Sequence, residues 1–348
     1  MITILVAMLV FGVIIAIHEF GHFAMAKLCG IKVNQFAIGM GPVILKKQGK
    51  ETEYSLRLFP IGGFCAMEGE DNQSADARSF HNKPVWQRML VVVAGAMMNL
   101  FLGFVLILCT TLLYGDIITL EVADFSKNSQ TGVSSSTSET CGLQIGDKII
   151  SMDGMRILTD TDLSYKLQNT ESDTMDLVVM RNGEKINLPD VKFYNTETEG
   201  RLDFKVQAVE LNILNTIEYS FLGTVSTSRL IWISLKDLLT GKYGFHDLSG
   251  PVGIIETIGE AASSGDNFQQ NLTSVLSLAS FITVNVGVFN LLPIPALDGA
   301  RFLFLVIESI RRKPISPERE GMVHFIGMAL MFLLMIAVTF QDIFKLVQ

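Results

Sequence analysis

Four stretches of this chain carry almost no charge, and each is as long as a helix that crosses a membrane. Residues 2–17 (ITILVAMLVFGVIIAI) hold no ionisable group, and the apolar pattern resumes beyond His18 and Glu19 as far as Leu28. Residues 89–113 are again uncharged, and further apolar runs cover 272–297 and 322–340. A helix needs about 20 such residues to span the ~30 Å of hydrocarbon in a bilayer. Apolar residues make up 49% of the composition and charged ones 18%, and the apolar excess lies in these blocks. The expected fold is therefore a polytopic α-helical membrane protein with four transmembrane helices. The first span is expected to be a retained membrane helix rather than a cleaved signal peptide, because it lacks a basic leader and runs into His-Glu-Phe-Gly-His where a small-residue cleavage site would stand.

Charge between the spans sets an orientation. Residues 27–88 hold nine Lys/Arg and 301–319 hold five, whereas 116–215 hold nine basic groups against seventeen acidic ones. Basic residues near membrane ends favour the cytoplasmic side. The spacing thus predicts membrane helices at 1–28, 89–114, 271–300 (broken) and 322–342, with 29–88 and 301–321 as cytoplasmic loops. Both termini and the acidic block would lie outside. Residues 116–211 read as a small β-rich domain: Ile117, Met175 and Phe204 open short apolar runs, and Asn182-Gly183 is a hairpin turn signal. Residues 212–270 read as an amphipathic region at the membrane surface. The formal charge of −8 leaves no basic field for a nucleic acid. Four cysteines without CxxC spacing suggest no disulfide framework.

The chemistry lies in the polar residues left inside apolar blocks, which are costly there unless paired or coordinating. In His18-Glu19-Phe20-Gly21-His22 the two histidines are four apart and share a helix face, and Glu19 is placed to take a proton from water. A catalytic zinc takes three protein ligands, so a third is needed. Asp298 is the best candidate, at the end of Asn290-Leu291-Leu292-Pro293-Ile294-Pro295-Ala296-Leu297-Asp298-Gly299, where two prolines forbid a regular helix. Asp298 could instead cap a following helix, and His324 is a rival ligand. His81 and His246 lie in polar connecting segments and are weaker. Asn285 and Asn290 could clamp an extended peptide or glue helices together. Asn99 is balanced between packing and function.

With these residues in view, the chain resembles the site-2 proteases, membrane-embedded zinc metalloproteases, and within them the bacterial regulator-of-sigma-E protease type with a single PDZ domain. The likeness covers nearly the whole chain. It includes HEFGH at 18–22, GMG at 39–41, ETEYSLRLFPIGGF at 51–64, AGAMMN at 94–99, SGPVGI at 249–254 and NLLPIPALDG at 290–299. The resemblance implies one Zn2+ on His18, His22 and Asp298, with Glu19 as general base and no organic cofactor. It implies substrate contacts from Asn285, Asn290, Pro293 and Pro295, a membrane-reentrant β-loop at about 39–64, and an extracytoplasmic PDZ domain at 116–211. The activity implied is hydrolysis of peptide bonds in or near membrane spans. Substrates would be single-span membrane proteins, such as anti-sigma factors, or signal-peptide-like segments, trimmed first by another protease. The setting implied is the bacterial plasma membrane, with the active site near its cytoplasmic side. Two departures stand out: TGVSSSTSETCG at 131–142 replaces a small apolar approach to the PDZ glycine, and Ala300 follows LDG where a second glycine is common. The competing expectations are a metal or proton transporter and a non-catalytic PDZ-bearing scaffold.

Overall fold

The computed structural model describes residues 2–70, 74–128, 131–170, 172–196, 198–244, 248–313 and 315–347; His246 lies outside them. The chain divides into two compact units, Met1–Leu106 with Ile233–Gln348, and Ile107–Trp232.

The first unit is built on the uncharged runs. Helix α1 spans Ile2–Leu28 and helix α2 Val85–Tyr114, whose last turns belong to the second unit. Helix α2 starts four residues before the uncharged run because Pro84 precedes it, and proline favours helix starts. Together with two later helices, Phe268–Asn290 and Pro317–Val347, they are long and apolar enough to cross a membrane. The molecule is thus a polytopic helical membrane protein carrying a separate β-rich region.

Between α1 and α2, strands β1 (Val33–Gln48) and β2 (Glu53–Met67) pair antiparallel, but not as a plain hairpin. Residues 35–38 pair on one side with 63–66 and on the other with 53–56, while 43–48 pair with 53–57. Each strand therefore doubles back. Met40, Leu45, Leu56, Leu58 and Phe59 remain exposed on this sheet, an arrangement costly in water. The base of the sheet is fixed: Ile31 and Val33 are buried with Ala26 of α1 and Val91 of α2.

In the second unit, β3 (Asp116–Phe125), β4 (Lys148–Met152), β5 (Met155–Arg156), β6 (Thr174–Arg181), β7 (Glu184–Lys192) and β8 (Phe204–Glu210) form one sheet of order β7-β6-β4-β3-β8, with β5 on β4. Helix α3 (Thr137–Thr140) is a single turn, and helix α4 is Asp160–Asn169. Arg181 pairs Glu184 across Asn182 and Gly183, both at positive φ, as a tight hairpin requires. Val122, Ile149, Met152, Leu177, Val179 and Val191 close the core. Asp147, fully buried, accepts two hydrogen bonds of 2.6 Å from Arg181. Helix α5 (Ile213–Leu239) is one continuous amphipathic helix, and three polar groups fix it to α4. Tyr219 donates to Asp160 at 2.7 Å, Thr159 to Ser226 at 3.1 Å, and Arg229 pairs with Asp162 at 2.6 Å.

The first unit resumes at Ile233, in the last turns of α5, and continues with α6 (Pro251–Ala261), α7 (Phe268–Asn290), α8 (Asp298–Arg311) and α9 (Pro317–Val347). The 301–321 segment, expected as a loop, is therefore helical as far as Arg311. Its arginines mask an amphipathic helix that buries Gly299, Ala300 and Leu305 and ends at Arg312 with φ 53°. The amides at the start of α6 are capped from α9: Asp342 accepts from Gly250 N at 3.0 Å and Gly253 N at 2.9 Å. Such a cap contributes about 0.5–2 kcal/mol.

Candidate metal centre

Helix α1 carries His18 and His22 on consecutive turns of one face, at the point where its apolar run is interrupted. Helix α7 stops at Asn290 because Pro293 and Pro295 supply no amide hydrogen for another turn. The chain crosses 291–297 as a turn and restarts at Asp298 as the first residue of α8. Gly299 permits this return, since a Cβ there would lie 2.1 Å from the Leu292 carbonyl oxygen.

The three side chains converge. His18 Nε2 lies 3.1 Å and His22 Nε2 3.2 Å from Asp298 Oδ2, and the two imidazole nitrogens are 3.2 Å apart. Asp298 Oδ2 is buried without a hydrogen-bond partner. Tetrahedral zinc with bonds of about 2.0–2.1 Å holds its ligand atoms about 3.3–3.4 Å apart. Two nitrogens and one carboxylate oxygen in a triangle of that size fit the ion and leave a fourth position open. Among the described residues this is the only such His/Cys/Asp/Glu cluster.

The surroundings set the imidazoles. His22 Nδ1 donates to the Val91 carbonyl at 2.8 Å; a carbonyl only accepts, so the proton sits on Nδ1 and Nε2 presents its lone pair. His18 Nδ1 faces the side-chain amide of Asn99 at 3.3 Å, and Asn99 Oδ1 is otherwise buried and unpartnered. Ligation through His18 Nε2 requires a proton on Nδ1, which the amide accepts when Oδ1 is turned toward the ring. Gly95 of α2 passes directly over both rings, for a Cβ there would fall 2.4 Å from His22 Nε2 and 2.8 Å from His18 Cε1. Neither the Val91 carbonyl nor Gly95 was among the expected site residues, although Gly95 lies in the AGAMMN stretch at 94–99, since both act only through the crossing of α1 and α2.

Glu19 is half-buried beside the triad, and its side chain makes no hydrogen bond among the described residues. Strand β2 runs past it: a Cβ on Gly63 would lie 3.1 Å from Glu19 Cγ. The side chains of Asn285 and Asn290 of α7 likewise make no hydrogen bond among the described residues. Pro293 is exposed and Pro295 partly so. His324 of α9 is not in the triad; its Nδ1 accepts from Ala296 N at 3.0 Å. His81 pairs with the Gly69 carbonyl. A polar cavity of about 340 Å³ borders Asp298 and is lined by Glu70, Arg301, Glu320 and His324 among others. Arg301 pairs with Glu70 and lies 3.7 Å from Glu320.

Comparison with known proteins places this geometry. The model of peptidase family M50 matches residues 6–334. A putative zinc metalloprotease of Clostridium acetobutylicum is 36% identical over 344 residues, covering 98% of this chain and 97% of that protein. Zinc metalloprotease RasP of Bacillus licheniformis is 30% identical over 428 aligned residues, with 99% of each chain covered. Regulator of sigma-W protease RasP of Bacillus subtilis is 29% identical over 429, again with 99% of each covered.

Proposed function

The chain belongs to peptidase family M50 and is a multi-pass membrane zinc metalloprotease, and from that premise we propose that it cuts its substrates in or beside their membrane spans. The observation that carries this reading is the triangle of His18, His22 and Asp298 at the end of an uncharged span, with the Glu19 carboxylate one residue away. His18, His22 and Asp298 would hold one Zn2+. The ion would supply Lewis acidity toward the scissile carbonyl and toward water.

Everything else is the work of the chain. Glu19, whose carboxylate makes no hydrogen bond among the described residues, takes the proton from the attacking water and returns it to the leaving amine. A helical substrate has its carbonyls bonded internally and must open before attack. The side-chain amides of Asn285 and Asn290, without a hydrogen-bond partner among the described residues, can pair with the peptide N–H and C=O groups that opening frees. Pro293 and Pro295 keep the 291–297 turn irregular beside the site. The 62–64 stretch of β2, next to Glu19, offers backbone to an extended peptide. The polar cavity bordering Asp298 is a route for water.

Residues 39–64 fit a β-loop dipping into lipid, because Met40, Ile44, Leu45, Leu56, Leu58 and Phe59 are exposed. We read 116–211 as an extracytoplasmic PDZ domain, supported by the sheet with helices α3 and α4 and by the pinned turn at Asp147. It acts as a size filter, so single-span proteins or signal-peptide-like segments reach the site after another protease has shortened them. The basic loops support an orientation with both termini outside a bacterial plasma membrane and the site near its cytoplasmic face.

The test is cleavage of a purified single-span substrate in proteoliposomes, with products mapped by mass spectrometry. The reading expects a cut within or at the edge of the span, abolished by a chelator and restored by zinc. Cuts confined to soluble segments would contradict it.

A further inference from the structure

We propose that His324 is a positioning residue for the metal site, holding from α9 the turn that delivers Asp298 to His18 and His22. The inference rests on the reading of Asp298 as a metal ligand.

The turn between α7 and α8 has little to hold it in shape. Its two prolines donate no hydrogen bond; Leu291 N and Leu292 N bond back to Val288 O and Phe289 O of α7, and the backbone bonds inside the turn are Ile294 N to Leu292 O at 2.7 Å and Leu297 N to Ile294 O at 3.1 Å. Ala296 sits at φ 76°, in the left-handed region where a Cβ crowds the following carbonyl. Alanine does not adopt that conformation readily, so an outside contact must maintain it. The Ala296 amide donates to His324 Nδ1 at 3.0 Å, 28 positions along the chain.

A second observation brings α9 to the same place. A Cβ on Gly327 would lie 2.2 Å from Pro295 Cβ and 3.0 Å from its backbone. His324 and Gly327, three residues apart, thus share the α9 face that lies on Pro295 and Ala296. The His324 ring is itself held by Phe304 of α8, edge-on at 5.8 Å between centroids. Since Nδ1 accepts, the ring proton sits on Nε2. Asp298 follows Ala296 by two residues. A change of φ at Ala296 moves its carboxylate, and a triangle of 3.1–3.2 Å does not survive a shift of an ångström. His324 therefore acts on a ligand rather than on the metal.

Zinc affinity of the purified full-length protein, measured by competition with a chromophoric chelator, tests this alongside thermal stability. His324→Phe keeps a ring against Phe304 but removes the acceptor, and zinc affinity should fall roughly tenfold or more. His324→Asn, whose Oδ1 falls near the Nδ1 position, should recover most of that loss. Adding Ala296→Gly to His324→Phe should also recover it, because glycine accepts positive φ without a clash. A packing role for the ring would not be relieved by a backbone change at 296. Unchanged affinity in His324→Phe overturns the proposal, as does a loss that Ala296→Gly fails to lessen. If His324→Phe does not accumulate, His324→Gln, which carries its polar group beyond the Nδ1 position, is read in the same way. Asp298→Asn separates the two levels. Zinc binding unaffected there removes the ligand reading, whereas zinc lost there but kept in His324→Phe removes only the positioning role.

Discussion

Two imidazole nitrogens and a carboxylate oxygen at 3.1–3.2 Å from one another need a shared cation or proton to sit stably in an apolar bundle. The fit around them is tight enough to be probed by one methyl group. In Gly95→Ala the new Cβ has no room beside His22 Nε2, and overpacking of this kind costs about 1–3 kcal/mol. We expect a lower melting temperature and a zinc content well below parent, measured by atomic emission; parental zinc content would show that α2 yields there. Asn285 and Asn290 make a contrasting pair. Asn285→Leu and Asn290→Leu suit an apolar helix and break no hydrogen bond among the described residues. Zinc content and melting temperature should hold, while cleavage falls about 3- to 10-fold for each lost substrate hydrogen bond of roughly 0.5–1.5 kcal/mol. A drop in melting temperature instead would mark them as helix–helix contacts.

Single ties between elements carry much of the first unit. Arg88, at the start of α2 and 6% exposed, makes two bonds of 3.0 and 2.6 Å to Glu308 of α8, the helix that begins with Asp298. Removing one partner of a buried pair costs about 3–5 kcal/mol, so Glu308→Ala should destabilise strongly by thermal melting in detergent. A change near zero would mean that water enters the pair. At the foot of the β1–β2 sheet, hydrogen bonds from Ser74, Asn34 and Lys32 hold the Glu68 carboxyl down to about 2. Its folded pKa is depressed, so its contribution is complete above the ordinary carboxylate range and is lost as pH falls toward 2. Hydrogen exchange at Glu68 N, bonded to Lys32 O, should stay protected at pH 5 and open only in stronger acid; opening at pH 5 would contradict this. What was legible at this scale was whatever a local pattern carries. The i,i+4 histidines, the uncharged spans and the Asn-Gly hairpin each depend on neighbours a few residues away. Helix α8 was not legible, because Arg301, Arg311 and Arg312 look like loop charge until Gly299, Ala300 and Leu305 are seen buried. The doubled pairing of β1 and β2 was not legible either, since that register is long-range. His324 reads in the sequence as a packed or interfacial histidine, with ligation the weaker alternative; its role was not legible because its partner, the Ala296 amide, is long-range.

At the scale of the whole molecule, four spans and an inserted β-rich domain accommodate two solvents in one chain. The orientation read from the basic loops predicts that single cysteines in 116–211 are labelled by membrane-impermeant reagents in intact cells, and cysteines in 301–313 only after lysis. The reverse pattern would invert the topology. A size-filtering outer domain predicts that a substrate with a long folded ectodomain is spared, and that shortening the ectodomain restores cleavage. The central claim is that Glu19 moves the proton while His18, His22 and Asp298 hold the zinc. It is tested most directly by measuring zinc content and cleavage together in Glu19→Gln. Zinc retained near one per chain, with cleavage reduced by about 10²–10⁴, is the predicted result. Zinc retained with full cleavage would contradict it.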